Sequence, residues 1–398
     1  MRIRAPRLFT GLDRDYRHDV VVAIGEDGMV AAVEQGGGPG GSGGPGGLTV
    51  IPGMVDAHIH LSLSCDPFEG WRNDLSDAHY ALEARANGLK HLHRGITTVR
   101  DLGGIRDVVP ILAQRVRAGL DEGPRIYTAG QWLCPTAGHG AIYGATASGA
   151  GEFREAVRRL FAKHADVVKV MATAGGLIEE GHDPNTTQIT VDEADAIAEV
   201  SKLLKLPIAV HAHAADGIDL AIRMGARSIE HCTWVTDTQA AALQRDGVVV
   251  VPTIYTYERS AALRGDEHLF GEDEIRLSLR ILEAKREGFA HLRAHGVTLA
   301  GGTDAGAPDT EHGCLPDEAR CLLDWGLSPV EVLQSITLHA GELVAPGLAG
   351  RITEGSFGDL VVLDGDPLID FDAIDRVVAV VKGGRLVHGE LPDELLVP

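Results

Sequence analysis

The sequence predicts an α/β protein: a (β/α)8 TIM barrel with a small β-sandwich domain built from both chain termini. Three observations lead there. From residue 53 onward, short apolar segments alternate with amphipathic helical ones, and eight of the apolar segments qualify as strands. Residue types able to hold a metal recur near the ends of those segments. The head and tail of the chain are both rich in strand patterns, and both differ from the middle.

In the head, 19-DVVVAIGEDGMVAAVE-34 reads as a hairpin turning at EDG. A low-complexity loop, 36-GGGPGGSGGPGG-47, follows it. The eight strand candidates then run in order. They are VDAHIHL (55–61), TTVRDL (97–102), RIYTAG (125–130), VVKVMAT (167–173), IAVHAHA (208–214), SIEHCTW (228–234), VVVVPTIYTY (248–257) and TLAGGTDA (298–305). Segments such as 152-EFREAVRRLFAKH-164 and 191-VDEADAIAEVSKLLK-205 carry helical periodicity between them. A doubly wound open sheet is the alternative, and the count of eight favours the barrel. In the tail, 359-DLVVLDG-365 and 376-RVVAVVKGGRLVHG-389 return to strands. The expected division is residues 1–52 plus 345–398 for the sandwich and 53–344 for the barrel.

The chain has 398 residues and a formal net charge of −21, so neither nucleic acid nor an anionic membrane is an expected partner. The five cysteines are scattered, with no CxxC, which argues against a disulfide framework and a thiolate metal site. The start lacks an apolar leader and no later run approaches a membrane span, so a cytoplasmic location is expected.

The stretch 53-GMVDAHIHLSL-63 carries the first chemical signal. Side chains two apart on a strand share a face, so Asp56, His58 and His60 lie together. Such a polar stripe on a buried strand is costly unless something satisfies it, and a metal ion is the candidate. Barrel enzymes gather their catalytic groups at the C-terminal ends of the strands. Lys169 lies on strand four, His211 and His213 on strand five, His231 on strand six, and Asp304 at the end of strand eight. Each alone has an ordinary structural reading: a hydrogen-bonded core histidine, a solvated lysine, an aspartate in a turn. Five strands of one barrel converging on imidazole and carboxylate suit Zn, Mn or Fe. The face argument does not choose between His211 and His213, since both point inward.

This constellation resembles the amidohydrolase superfamily. The likeness covers nearly the whole chain and sharpens in 97-TTVRDLGG-104, 171-MATAGGLIEEGHDPNTTQIT-190, 210-VHAHAADGIDLAIRMGARSIEHCTW-234 and 353-TEGSFGDLVVLDGDPL-368. Those segments are similar to the prolidase-like (Xaa-Pro dipeptidase) and imidazolonepropionase-like group. One departure is Gly358-Asp359, where the family usually has Ala-Asp. The resemblance implies two divalent metal ions, zinc the expected one, bridged by Lys169 carrying a CO2-derived carbamate. His58, His60, Lys169 and Asp304 then hold one ion. Lys169, His211 and His231 hold the other, with His211 chosen because its 20-residue separation from His231 resembles the family pattern. His213 becomes a substrate-facing or supporting group.

Asp304 is expected to take a proton from the activated water and return it to the leaving amine. His139, in 135-PTAGHGAIYG-144, is the candidate to polarise the scissile carbonyl, against a plain reading as a loop histidine in a Gly-rich turn. Tyr255 and Tyr257, at the end of strand seven, are candidate substrate contacts; packing at the barrel mouth is the alternative. The loop 174–190, with Glu179, Glu180, His182 and Asp183, is the segment expected nearest substrate, although a solvated polar loop explains it as well. The expected activity is amide cleavage of a small-molecule substrate, a dipeptide or N-acyl amino acid. The alternatives are a mononuclear cyclic-amide hydrolase or deaminase, and a scaffold without catalysis. Relatives of this kind commonly form homo-oligomers.

Overall fold

The computed structural model describes residues 1–36, 47–65, 74–175, 183–263 and 272–397. The central part is a succession of parallel strands. Strands β5 (Met54–Ile59), β6 (Ile96–Asp101) and β7 (Arg125–Thr128) form one parallel sheet. Strands β10 (Val168–Met171), β11 (Ile208–Ala212), β12 (Ser228–His231) and β13 (Val249–Val251) form another. The eighth segment joins the two. It hydrogen-bonds β13 through Ala300 N to Val250 O (3.0 Å) and β5 through Asp304 N to His58 O (2.8 Å). Two short strands, β8 (Leu133–Pro135) and β9 (Ala145–Ala147), extend the second sheet beside β10 and were not expected from the sequence.

Two expectations about the later strands need correction. The eighth segment pairs only at isolated bridges, Leu299 with Val250 and Ala305 with Ile59. Its glycines explain this: they bring the chain close to its neighbours at the cost of strand regularity. A Cβ on Gly302 would lie 2.5 Å from Val251 Cγ1, and one on Gly301 2.6 Å from Ile336 Cγ2. The seventh strand ends at Val251, well short of Tyr257. Pro252 has no N–H for a ladder, and Thr253 turns the chain at φ 46° into a helix, Ile254–Ala262. Tyr255 and Tyr257 therefore stand on that helix.

The helices cover the barrel as their periodicity requires. In the helix Gly149–Ala162, Phe153, Ala156, Val157 and Leu160 face the core at the i, i+3, i+4, i+7 spacing. The helix Val191–Leu204 starts at a capping box, Thr190 with Glu193, and Asp237–Asp246 starts at another, Thr236 with Gln239. The terminal strands, expected as a sandwich, form one seven-stranded sheet. It takes β1 (Arg2–Leu8), β2 (Arg17–Ile24), β3 (Val30–Gln35) and β4 (Leu48–Pro52) from the head. From the tail it takes β14 (Leu360–Asp364), β15 (Val377–Lys382) and β16 (Arg385–Gly389). Pairing of β4 with β14 joins head to tail. Ile3, Val22, Val50, Val362 and Val381 make this sheet a core of its own.

Candidate metal centre and active site

His58 lies on β5 and His60 one residue past its end, and their rings meet edge to face at 5.3 Å. Nδ1 of His60 is 2.7 Å from Gly103 O, so that nitrogen carries the proton and Nε2 the lone pair. Nε2 of His60 then faces Asp304 Oδ1 at 3.1 Å. Nε2 of His58 lies 3.3 Å from the same oxygen and 3.3 Å from Lys169 Nζ. Lone pairs of imidazole and carboxylate this close call for a proton or a cation between them. Burial, and after it the nearby Lys169, lowers the pKa of His58 to about 4, so the ring is neutral and able to ligate. Burial would raise the pKa of Asp304, but His58, His60 and Lys169 outweigh it and keep the carboxyl ionised.

A second group sits beside the first. The ring centroids of His211 and His231 are 4.6 Å apart, and those of His213 and His231 4.9 Å. Burial foremost pushes all three well below the ordinary histidine range. Nδ1 of His231 is 2.7 Å from Thr253 Oγ1, which leaves its Nε2 toward the site. Nε2 of His211 is 3.2 Å from Ala174 O. Both nitrogens of His213 are engaged, Nδ1 with Thr233 Oγ1 (2.7 Å) and Nε2 with the Tyr257 hydroxyl (3.1 Å). Ligand atoms of His58, His231 and Asp304 lie within 4.8 Å of one another, as do those of His211, His213 and His231. His231 is common to both groups. The donor set, neutral imidazoles with one carboxylate and a buried lysine, fits divalent metal.

Several of these residues sit in strained backbone. His231 (φ 69°), Cys232 (φ 49°), Thr253 (φ 46°) and Asp304 (φ 63°) all adopt the left-handed conformation. Each costs a non-glycine residue on the order of 1–3 kcal/mol. Lys285, buried on the helix Glu272–Ala294, donates Nζ to His231 O (2.9 Å) and to Pro252 O, and so ties two of these turns together.

The structure brings His139 to the centre: its ring lies 4.6 Å from that of His211. Gly175 makes the room, since a Cβ there would lie 2.1 Å from His139 Cε1. The His139 N–H donates to Gln188 Oε1 at 2.8 Å, which links this loop to the far side of the loop after Lys169. Tyr257 reaches His213, whereas Tyr255 packs against the core with its N–H held by Glu318 (2.7 Å). Asp183 pairs with Arg280 at 2.9 Å on the surface. Glu179, Glu180 and His182 lie outside the described residues. Asp56 takes no part in either ligand group; it accepts from Thr303 Oγ1 (2.8 Å) and Thr303 N (3.1 Å), joining the first strand to the eighth segment.

A sequence model of the amidohydrolase family matches residues 49–387. The chain belongs to the amidohydrolase family. It is 30% identical over 379 residues to an ochratoxinase of Aspergillus niger, covering 85% of this chain and 76% of that one. An imidazolonepropionase of Streptomyces avermitilis is 25% identical over 345 residues, covering 80% and 74%. The crystal structure of a Xaa-Pro dipeptidase with methionine bound in its active site superposes with a TM-score of 0.88 at 26% identity, covering 98% of this chain and 99% of that one. This amidohydrolase is a hydrolase of C–N bonds.

Sequence reasoning passed over one layer of the amidohydrolase site. Beneath the histidines, Arg100 of β6 crosses the barrel to β12. It donates to Glu230 Oε1 (3.0 Å), Ser228 Oγ (2.9 Å) and, through Nε, Ala57 O (2.6 Å). All four residues of β12, Ser-Ile-Glu-His, are buried. A carboxylate inside an all-buried strand, one residue before a candidate metal-ligating histidine, was the available signal. Thr253 and Thr233, which orient His231 and His213, carried none, because a threonine near a strand end is ordinary.

Proposed function

We propose that this amidohydrolase cleaves the amide bond of a dipeptide or N-acyl amino acid at a two-metal centre bridged by a carboxylated Lys169. The observation that carries this reading is Lys169 itself. It is 1% exposed, its Nζ lies 3.3 Å from His58 Nε2, and burial lowers its pKa to about 8. A buried lysine so readily deprotonated offers a neutral amine to CO2. Its nitrogen bonds the carbon of CO2, one N–H proton leaves, and the product is an anionic carbamate that ligates like a carboxylate. His58, His60, Lys169 and Asp304 would hold one ion and Lys169, His211 and His231 the other, zinc being the expected metal. When bound, such ions acidify water and polarise a carbonyl.

The chain's own groups do the rest. Asp304, kept ionised by its neighbours, accepts the proton of the attacking water and returns it to the departing nitrogen. His139 donates to the carbonyl oxygen as charge gathers there. His213, held by Thr233 and Tyr257, faces the substrate. The likeness to a Xaa-Pro dipeptidase favours a dipeptide. Residues 53–344 are taken as the catalytic barrel, supported by 1–52 with 345–398. Five cysteines, none of them in a disulfide and four of them buried, suit a reducing compartment such as the cytoplasm.

The test is metal content per chain, with a screen of Xaa-Pro dipeptides and N-acyl amino acids on the same sample and on Lys169→Ala. About two ions per chain, amide cleavage, and loss of several kcal/mol of catalysis (about 10³-fold) in the variant are expected. Full activity in Lys169→Ala would refute the reading. About one ion per chain, turnover of a cyclic amide and no dipeptide cleavage would replace it with the mononuclear reading that the imidazolonepropionase likeness favours.

A further inference from the structure

The histidine that meets both Lys169 and Asp304 has a second side, and what lies there is unusual for a barrel interior. Nδ1 of His58 is 3.0 Å from Glu230 Oε2. The approach is too oblique for a well-formed hydrogen bond, yet neither atom has another hydrogen-bonding partner among the described residues. Each therefore depends on the other for satisfaction. The other oxygen, Oε1, is fully committed: it accepts from Arg100 Nη2 at 3.0 Å and Ser228 Oγ at 2.5 Å. Glu230 is 0% and Arg100 3% exposed. A buried carboxylate is tolerated only when paired, and Arg100 supplies the pairing through a guanidinium whose Nε is itself fixed on Ala57 O. Ala57 is the residue before His58 on β5. One arginine thus fixes both the carboxylate that faces His58 and the strand that carries it.

We infer that Glu230 is a positioning residue: held by Arg100, it keeps the proton of His58 on Nδ1 and so presents the lone pair of Nε2 to the metal centre. The inference rests on the metal-centre reading above. Its chemistry is general. A ligating imidazole commonly donates its other N–H to a carboxylate, which fixes the tautomer and raises the basicity of the ligand. Here the carboxylate comes from the strand that also carries His231, so one barrel element serves both ligand groups.

The experiment compares wild-type protein, Glu230→Gln, and the double variant Arg100→Met with Glu230→Leu. The double variant leaves no lone buried charge if the single one folds poorly. Two readouts are taken. Zinc affinity is measured by competition with a chelator, and the tautomer of His58 by nitrogen-15 NMR of metal-free protein labelled at histidine. Expected are a loss of about 10–100-fold in zinc affinity and a His58 Nδ1 that is protonated in the wild type and mixed in the variants. A role in folding alone would not move the tautomer. Wild-type zinc affinity and an unchanged His58 tautomer in a folded variant would overturn the inference. Failure of the wild-type protein itself to retain zinc would overturn the metal-centre reading instead.

Discussion

The smallest residue near the centre offers the sharpest test. Gly175 has an ordinary backbone conformation outside the left-handed region, so alanine brings no backbone strain of its own. Its added Cβ, however, would stand 2.1 Å from Cε1, 2.4 Å from Nδ1 and 2.5 Å from Nε2 of His139. Carbon atoms rest about 3.5–4.0 Å apart, so the imidazole must retreat by roughly 1 Å or more. A reacting group misplaced by about 1 Å can lose about 10²-fold in rate. Losing an electrophilic donor altogether costs about 10²–10³-fold, or about 2.7–4 kcal/mol. Gly175→Ala should therefore lower kcat/KM by about 10²-fold. Gly175 is buried, so the added methyl overpacks its site and should lower the unfolding free energy by about 1–3 kcal/mol. The assay is steady-state kinetics on the best amide substrate, with thermal melts of the same preparations, for Gly175→Ala, His139→Ala and the pair. If Gly175 acts through His139, the pair loses no more than His139→Ala alone. Wild-type kcat/KM in Gly175→Ala, or losses that multiply in the pair, would refute the reasoning.

Two further outcomes concern stability. Arg100→Met leaves Glu230 buried without its cation and should cost about 3–5 kcal/mol in urea unfolding; adding Glu230→Leu should recover most of that. The second outcome is an acid limb. His312, buried and bonded to His91 (3.1 Å) and Leu63 O (3.0 Å), is pushed by burial from an ordinary pKa near 6.5 down to about 4. With the folded pKa depressed, its contribution is present above pH ~6.5 and lost as the pH falls through about 4. Near pH 5 the loss amounts to about 2 kcal/mol relative to pH 7. Denaturation at the two pH values should show His312→Gln less acid-sensitive than wild type by about that amount; an identical acid slope would refute the assignment.

What could be read from the chain and what could not divide along physical lines. The pairs His58/His60 and His211/His213 were legible because a period of two names a strand face without knowledge of neighbours. Lys169 alone reads as a solvated lysine; it was legible only through its place on strand four among histidines and an aspartate on four other strands. Assignment to a face left His211 and His213 undivided, and the structure now shows both nitrogens of His213 engaged by Thr233 and Tyr257. The eighth segment reads as a strand because apolar residues flank Gly301 and Gly302, while the glycines serve close approach. Tyr255 and Tyr257 were misplaced because β-branched and aromatic residues run through Pro252 without a break in hydrophobicity; the turn lies in the backbone at Thr253. The partnership of Arg100 with Glu230 spans 130 residues, and no local pattern announces a contact of that separation.

The left-handed turns at His231, Cys232, Thr253 and Asp304 also bear on how this chain can drift over generations. Under the proposed function His231 and Asp304 are metal ligands, so their strain is inherited with that role. Cys232 and Thr253 are freer, and the backbone itself selects there. Glycine and asparagine relieve the conformation, while valine and isoleucine aggravate it. At Cys232 glycine would relieve the backbone but leave a void in the core, where the side chain is 2% exposed. At Thr253 glycine would meet a conflict, because relieving the backbone removes the hydroxyl that orients His231.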